Sequence, residues 1–291
     1  MNKIKIGLNT IKTRYLPLIK SRQTFLLLMT GLTGYMSSNC PVLNISTILA
    51  LGGSLFLAIS GSTVLNMWYD RDIDARMPRT CNRPLSTGVT KPHEALILGL
   101  VISTMGISWA VSLDLQYGLV VFAGFFIDVV IYTIWLKRRT AWSIVLGGIS
   151  GGMPVLAGRV LGTGQIDWIG IALAMAVLFW IPTHILTFNI RYHEDYQVAK
   201  IPTFPSVYGF QTTRLIIAIS SVLTALAMGL AAYGVGLTWG FLRLMAVLGA
   251  GLLVLAVRSL TLPSDKITFY LFKFASLYML GSMLLLFLAG L

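Results

Sequence analysis

A short polar segment stands out in a mostly apolar chain. Three of the ten acidic residues, Asp70, Asp72 and Asp74, fall within five positions. On a helix, Asn66, Asp70 and Asp74 are four residues apart and therefore share one face. Carboxylate and amide oxygens are the ligands that Mg²⁺ prefers, usually together with a substrate phosphate. The spacing predicts a helix face that binds Mg²⁺.

Two arginines follow this acidic face. Arg79 and Arg83 are also four residues apart, and a guanidinium group matches two phosphate oxygens at once. Together with the acidic face, they predict a site for a metal diphosphate. The competing interpretation is a solvated, charge-balanced loop between two membrane helices.

A second polar segment runs from Asn189 to Pro205. Glu194 and Asp195 are adjacent, so on a helix end only one of them faces a common site. We favour Asp195 as a further metal ligand and Lys200 as a phosphate contact. Ordinary loop solvation is the alternative.

Other ionisable residues lie in or beside apolar stretches. Lys137, Arg138 and Arg139 form a basic cluster that lipid headgroups or a substrate phosphate would attract. His184, two residues after Pro182, is either a hydrogen-bonded structural histidine or a contact to a ligand. Asp128 is expected to face the interior of a helix bundle.

Composition excludes an ordinary soluble domain. The chain is 56% hydrophobic and 11% charged, with a mean hydropathy of +0.81, whereas soluble domains carry about 25% charge. Its net charge of +12 comes from short basic runs scattered between apolar segments, which argues against a nucleic-acid partner. We therefore expect a multi-pass protein of the cell membrane.

Hydropathy windows predict nine membrane helices in one polytopic domain, 1–291. Twenty of the 22 Lys and Arg residues fall on alternate loops, so the amino terminus is expected in the cytoplasm and the carboxyl terminus outside. Both polar segments, 66–92 and 189–212, then become cytoplasmic active-site loops. The predicted helices are 16–36, 45–65, 94–113, 116–136, 142–161, 168–190, 213–233, 237–258 and 268–290.

These motifs resemble those of the intramembrane aromatic prenyltransferase (UbiA) superfamily. The Asn66, Asp70 and Asp74 pattern is typical of the whole superfamily, while Arg79-Thr-x-x-Arg83-Pro and Asp195-Tyr-x-x-Ala are similar to its heme branch. Further similarities are Tyr132-Thr-x-x-Leu-Lys-Arg-x-Thr and Pro-x-His184. The matches occur in order over about two thirds of the chain.

The resemblance implies an all-α bundle of nine spans around a central cavity. It also implies Mg²⁺-dependent transfer of a farnesyl group from farnesyl diphosphate to a vinyl group of protoheme IX, in the lipid bilayer. Heme A synthase or terminal-oxidase assembly proteins would be partners. The implied roles are catalytic for Asn66, Asp70, Asp74 and Lys137, diphosphate-binding for Arg79, Arg83, Lys137, Arg138 and Lys200, heme-binding for His184 and Tyr132, and metal-binding for Asn66, Asp70, Asp74 and Asp195.

The chain departs from this pattern in several places. The superfamily usually has a second pair of aspartates four residues apart, where this chain has only Asp195 with Glu194. Lys200 stands where the heme branch commonly has Gly or Asn, and neither Asp128 nor Arg159 belongs to the pattern. Two alternatives stay open: a polyprenyltransferase acting on a quinone precursor or a glycerophosphate lipid, and an ion-coupled transporter that binds ions at its intramembrane carboxylates.

Overall fold

Ten α-helices follow one another in the computed structural model, which describes residues 11–38 and 44–290. The amino terminus, which the distribution of Lys and Arg places in the cytoplasm, lies outside the described residues. The helices are α1 Ser21–Met36, α2 Ile45–Asp74, α3 Pro92–Leu113, α4 Leu115–Leu136, α5 Ser143–Thr163, α6 Trp168–Arg191, α7 His193–Val198, α8 Phe204–Val235, α9 Trp239–Thr261 and α10 Asp265–Ala289.

Eight of these helices, α2 to α6 and α8 to α10, are long and apolar enough to cross a membrane. The helix predicted at 16–36 is divided: a 3₁₀ turn spans Leu16–Ile19, Lys20 has a left-handed backbone (φ 44°), and α1 has 16 residues. That length is below the roughly 20 residues that cross a bilayer. The described part of the chain confirms a multi-pass helical membrane protein, but not the count of nine spans.

The predicted loops are partly helical. The helix predicted to end at 65 continues as α2 to Asp74. Its last turns can stay helical because their polar side chains form hydrogen bonds and ion pairs with basic side chains of the protein. The loop predicted at 189–212 contains the end of α6, the short helix α7 and the start of α8. Gly209, inside α8, has φ 80° and ψ 166°, a conformation that favours glycine. This kink separates the first residues of α8 from the apolar span that hydropathy detects.

Five helices, α1, α2, α4, α5 and α6, surround a central cavity. Helices α1 and α5 are in backbone contact there. A Cβ atom at Gly34 would collide with the carbonyl of Val155, and one at Gly158 would collide with the carbonyl of Gly31. Small residues permit such close approach of membrane helices. The remaining spans pack outside, with α3 against α2 and α8 against α6.

The two ends of the bundle differ. At one end lie the segments that follow α2, α4 and α6, which carry the predicted site. At the other end, Arg159 Nε is 2.8 Å from Asp167 Oδ1, and Arg159 Nη1 donates to the Ser37 carbonyl at 2.5 Å. This ion pair connects the ends of α5 and α1 to the start of α6.

Candidate active site

The predicted polar face of α2 exists, and it is buried. Asn66, Asp70 and Asp74 are 7%, 2% and 6% exposed, respectively. The Lys137 ammonium donates to Asp70 Oδ2, and Arg83 Nη1 donates to Asp74 Oδ2 at 2.5 Å. The site therefore joins the carboxylates of α2 to basic residues that follow α2 and α4.

Lys20, which the sequence analysis did not assign to the site, contacts Asn66. Its ammonium group donates to Asn66 Oδ1 at 2.8 Å, and Asn66 Nδ2 donates to Thr133 Oγ1 at 2.9 Å. Burial, followed by repulsion from Arg83 and Lys137, lowers the pKa of Lys20 to about 8. The site thus gathers three cations, from the segment before α1, the segment after α2 and the segment after α4.

Lys137 keeps its positive charge in this environment. Burial disfavours its charged form, but the pKa of Lys137 lies above its usual range, and the carboxylate of Asp70, which accepts a hydrogen bond from the ammonium, is the charge that favours the cation at neutral pH. The ammonium also lies 5.6 Å from the centre of the Tyr132 ring, within cation–π range. Lys137 therefore remains a cation at neutral pH.

The two other arginines differ in their partners. The Arg79 guanidinium lies 4.9 Å from the centre of the Phe188 ring on α6, and no salt bridge to it occurs within the described residues. Arg138, in contrast, donates to both oxygens of Asp72, at 2.9 and 2.7 Å. Arg79 is therefore free to bind an anion, whereas Arg138 is engaged by Asp72.

The second polar segment covers the first. Tyr196 of α7 packs against Ile73 and Met77, and burial raises the pKa of Tyr196. Lys200 is exposed, with a left-handed backbone (φ 55°). Gly and Asn adopt that conformation at low cost, and they are the residues that the resemblance to the heme branch led us to expect here.

Asp195 does not lie at the metal site predicted for the acidic face of α2. It lies in a separate pocket. It lines a polar pocket of about 540 Å³ with residues of α6, α8 and α10, among them Arg191, Arg214 and Asp265. Within the described residues, no group of three or more His, Cys, Asp or Glu side chains is arranged to hold a metal ion. Asp195 therefore does not form such a group with Asp70 and Asp74.

The cavity has a volume of about 460 Å³ and a mostly apolar lining, and ligand sites in proteins commonly measure about 300–1,000 Å³. Tyr132, Trp180 and His184 line it. The His184 ring stacks between Trp180 and Phe272, with ring centres 4.7 and 4.6 Å apart, and its Nδ1 is 3.2 Å from Ser276 Oγ. Tyr132 of α4 and His184 of α6, both predicted as heme contacts, therefore line the same cavity.

The donor set of α2 suits a hard cation. Asp70 Oδ1 is buried without a hydrogen-bond partner, and a buried carboxylate oxygen is costly unless a donor or a metal satisfies it. Asp74 and the Asn66 amide oxygen supply further oxygen atoms on the same face. The residues present therefore fit Mg²⁺ bound together with a phosphate.

A buried face of oxygen ligands, basic side chains around it and an adjoining apolar cavity between membrane helices define a class of protein. It is a multi-pass membrane protein built to hold an amphiphilic anion with a charged head and an apolar tail. The model of the UbiA prenyltransferase family matches residues 27–281, and the chain belongs to that family. Family membership identifies an enzyme and decides against the ion-coupled transporter.

Curated relatives cover most of the chain. The protoheme IX farnesyltransferase of Archaeoglobus fulgidus is 43% identical over 220 residues, which is 72% of this chain and 77% of that protein. The protoheme IX farnesyltransferase of Pyrobaculum arsenaticum is 36% identical over 252 residues, covering 84% of this chain and 90% of that protein.

Solved structures show the same fold. A structure concerned with digeranylgeranylglyceryl phosphate synthase in membranes aligns with a TM-score of 0.81 at 19% identity, covering 97% of this chain and 99% of that chain. A UbiA homolog from Archaeoglobus fulgidus bound to DMAPP and Mg²⁺ aligns with a TM-score of 0.71 at 16% identity, covering 94% of this chain and 99% of that chain. At these identities the comparison establishes the fold.

Proposed function

We propose that this chain transfers the farnesyl group of farnesyl diphosphate to a vinyl group of protoheme IX, giving heme O. The observation that carries the proposal is the junction of two environments. A buried set of oxygen ligands and basic side chains adjoins an apolar cavity that opens between membrane helices. The relatives named protoheme IX farnesyltransferase support protoheme as the acceptor.

The charged end binds the diphosphate. Asn66, Asp70 and Asp74 would hold Mg²⁺, which neutralises phosphate charge when it is bound there. Arg79 is free to bind phosphate oxygens. Lys137 and Arg83 donate hydrogen bonds to the two carboxylates that would bind the metal. Preorganised positive charge of this kind stabilises the departing diphosphate as its bond to carbon breaks, and such stabilisation is usually the largest catalytic contribution.

The apolar cavity positions the farnesyl chain and excludes water. Tyr132 and Trp180 present aromatic rings to it, and the face of an aromatic ring stabilises a nearby carbocation by about 0.5–2 kcal/mol. Of the aromatic residues near the acidic face, Trp68 packs instead with Leu18 and Val64 outside the cavity. His184 and Tyr132 are our candidates for contacts to the porphyrin.

We place the active-site end on the cytoplasmic side of the cell membrane, from the distribution of Lys and Arg. The product remains membrane-soluble because it gains a fifteen-carbon chain. Heme A synthase or terminal-oxidase assembly proteins are therefore the proposed recipients of the product within the same bilayer.

Mass spectrometry of porphyrins tests the function. Membranes that contain the chain would be supplied with protoheme, farnesyl diphosphate and Mg²⁺, beside an Asp70→Ala/Asp74→Ala control. Farnesylated heme made by the parent chain and absent from the control supports the proposal. If folded protein makes none, a quinone precursor or a glycerophosphate lipid becomes the acceptor to examine, and the heme assignment is overturned.

A further inference from the structure

The wall of the cavity contains one carboxyl group, that of Asp128. It belongs to α4, and among the described residues that line the cavity no other Asp or Glu occurs. Its only side-chain hydrogen bond in the described structure comes from the Ser62 hydroxyl of α2, which donates to Oδ2. Ionisable groups within membrane spans are costly and usually serve a function.

Asp128 differs from three other buried or half-buried carboxylates of the helical bundle. Asp70 pairs with Lys137, Asp74 with Arg83, and Asp167 with Arg159. No salt bridge to Asp128 occurs within the described residues, and the nearby Lys20 ammonium donates its hydrogen bond to Asn66. Within the described residues, the Asp128 carboxyl group is therefore held by a hydroxyl group and not by a cation.

The position of Asp128 relative to the diphosphate site is well defined. Ser62 lies four residues before Asn66 on α2, which is about 6 Å along the helix axis. On α4, the Thr133 hydroxyl accepts from Asn66 and donates to the Asp128 carbonyl at 2.8 Å. The carboxyl group therefore lies about one helical turn deeper in the membrane than the amide that would bind Mg²⁺.

That depth is where the reacting carbon of the substrate must lie. C1 of a prenyl diphosphate is bonded to the diphosphate oxygen, and its chain continues into the apolar cavity. The segment Ile127–Leu136 that carries Asp128 is a π-helix, and π-helical turns are rare and often occur at functional sites. Asp128 therefore lies on a π-helical segment, at the depth where C1 of a bound prenyl diphosphate is expected.

We propose that Asp128 is the catalytic base that completes the reaction, which rests on the function proposed above. The carbon–oxygen bond of farnesyl diphosphate breaks, and its electron pair leaves with the diphosphate. The vinyl π pair then forms the new bond to C1, which leaves a cation on the carbon next to the porphyrin. A water molecule adds to this cation, and its proton passes to the Asp128 carboxylate.

The geometry also explains the role of Ser62. By donating to one carboxylate oxygen, the Ser62 hydroxyl holds the group against α2 and leaves the second oxygen for the water. Ser62 is a positioning residue in this scheme, since it acts through Asp128.

Asp128→Asn tests the proposal with little change of shape, since the amide oxygen can still accept from Ser62. Farnesylated hydroxyethyl heme and released diphosphate would be measured in the same purified, lipid-reconstituted samples with protoheme, farnesyl diphosphate and Mg²⁺. We expect the parent to form both in equal amounts. We expect the variant to lose about 100-fold in hydroxylated product, as is typical for removal of a general base, with an excess of diphosphate over product.

Two further variants serve as controls. Asp128→Glu should recover part of the lost product. Asp114→Asn removes a carboxylate that accepts from the Tyr117 amide at the start of α4, and it should match the parent, because Asn is as good an N-cap as Asp.

The outcomes separate the two proposals. If Asp128→Asn makes product at the parent rate, or loses product and diphosphate release in equal proportion, Asp128 is not the base. If the parent chain itself makes no farnesylated heme, the proposed function is overturned, and the step at Asp128 with it.

Discussion

The ammonium group of Lys137 donates a hydrogen bond to Asp70, and this contact joins α4 to α2 beside the cavity. The second oxygen of Asp70 is buried and has no hydrogen-bond partner. One carboxylate oxygen of Asp70 therefore carries the Lys137 ammonium, and the nearest cation to the other is the Arg138 guanidinium, 3.9 Å away and beyond hydrogen-bond distance. Such an arrangement can accept a metal ion without releasing the lysine.

Removal of the negative charge should affect the turnover of farnesyl diphosphate differently at Asp70 and at its exposed neighbour Asp72. Asp70→Asn removes the carboxylate that we assign to Mg²⁺ and should lower the turnover of farnesyl diphosphate by about 100-fold or more. Asp72 pairs with Arg138 at the surface, so Asp72→Asn should stay within a few-fold of the parent. Diphosphate release at saturating Mg²⁺ measures both. Equal losses in the two variants would contradict the assignment of the metal to the buried face.

Lys20 should contribute to the binding of the diphosphate. Lys20→Met removes a cation that contacts Asn66, and hydrogen bonds to charged groups contribute about 1.5–3 kcal/mol. We expect the KM for farnesyl diphosphate to rise about tenfold or more. Arg22 is exposed two residues away, and Arg22→Met is the matched control. A similar KM in both variants would show that Lys20 does not contribute to the binding of the diphosphate.

Lys200→Gly should stabilise the protein. A left-handed backbone costs an ordinary residue roughly 1–2 kcal/mol, and glycine avoids this strain, less the entropy that glycine loses on folding. We expect an increase of about 1 kcal/mol or less in the free energy of unfolding, read as a higher melting temperature. Lys200→Met removes the same charge and retains the strain. If both variants bind farnesyl diphosphate more weakly, Lys200 is a phosphate contact, as the second polar segment predicted.

The Arg159–Asp167 pair should matter for stability and not for catalysis. Asp167→Asn retains a side-chain oxygen that can accept from the Gly170 amide at the start of α6, but it leaves the buried guanidinium without its carboxylate. Loss of one partner of a buried pair typically costs about 3–5 kcal/mol. Thermal unfolding in lipid should show the loss, with an unchanged KM for farnesyl diphosphate. The double variant Arg159→Met/Asp167→Asn should recover part of it.

The acidic face could be predicted from the sequence because helical periodicity is a local property. Four-residue spacing is enough to place Asn66, Asp70 and Asp74 on one side of a helix. In the structure all three residues are buried. The pairing of Arg83 with Asp74 follows from the same short stretch of chain. The fold class followed from composition, since so apolar a chain has to satisfy its backbone in membrane helices.

The rest of the site depends on which helices meet, and local patterns do not encode that. Lys20 and Asn66 are 46 residues apart, and Ser62 and Asp128 are 66 apart. Lys20 stands at the start of a predicted span, where long basic side chains commonly reach the interface, so its position in the sequence does not indicate a buried contact. Asp195 was predicted as a further metal ligand of the acidic face, but it lines a separate pocket with Arg214 of α8 and Asp265 of α10, which local spacing does not bring together.

The amide of Lys137 donates to the carbonyl of Tyr132, five residues earlier, where an α-helix would connect residues four apart. Residues 127–136 thus contain more chain per turn than the α-helical part of the same span. Deleting one residue there would leave a continuous apolar helix, yet it would rotate every later side chain by about 100° and carry Lys137 away from Asp70. The shortened span could still cross the membrane, but the contact between Lys137 and Asp70 in the active site would be lost.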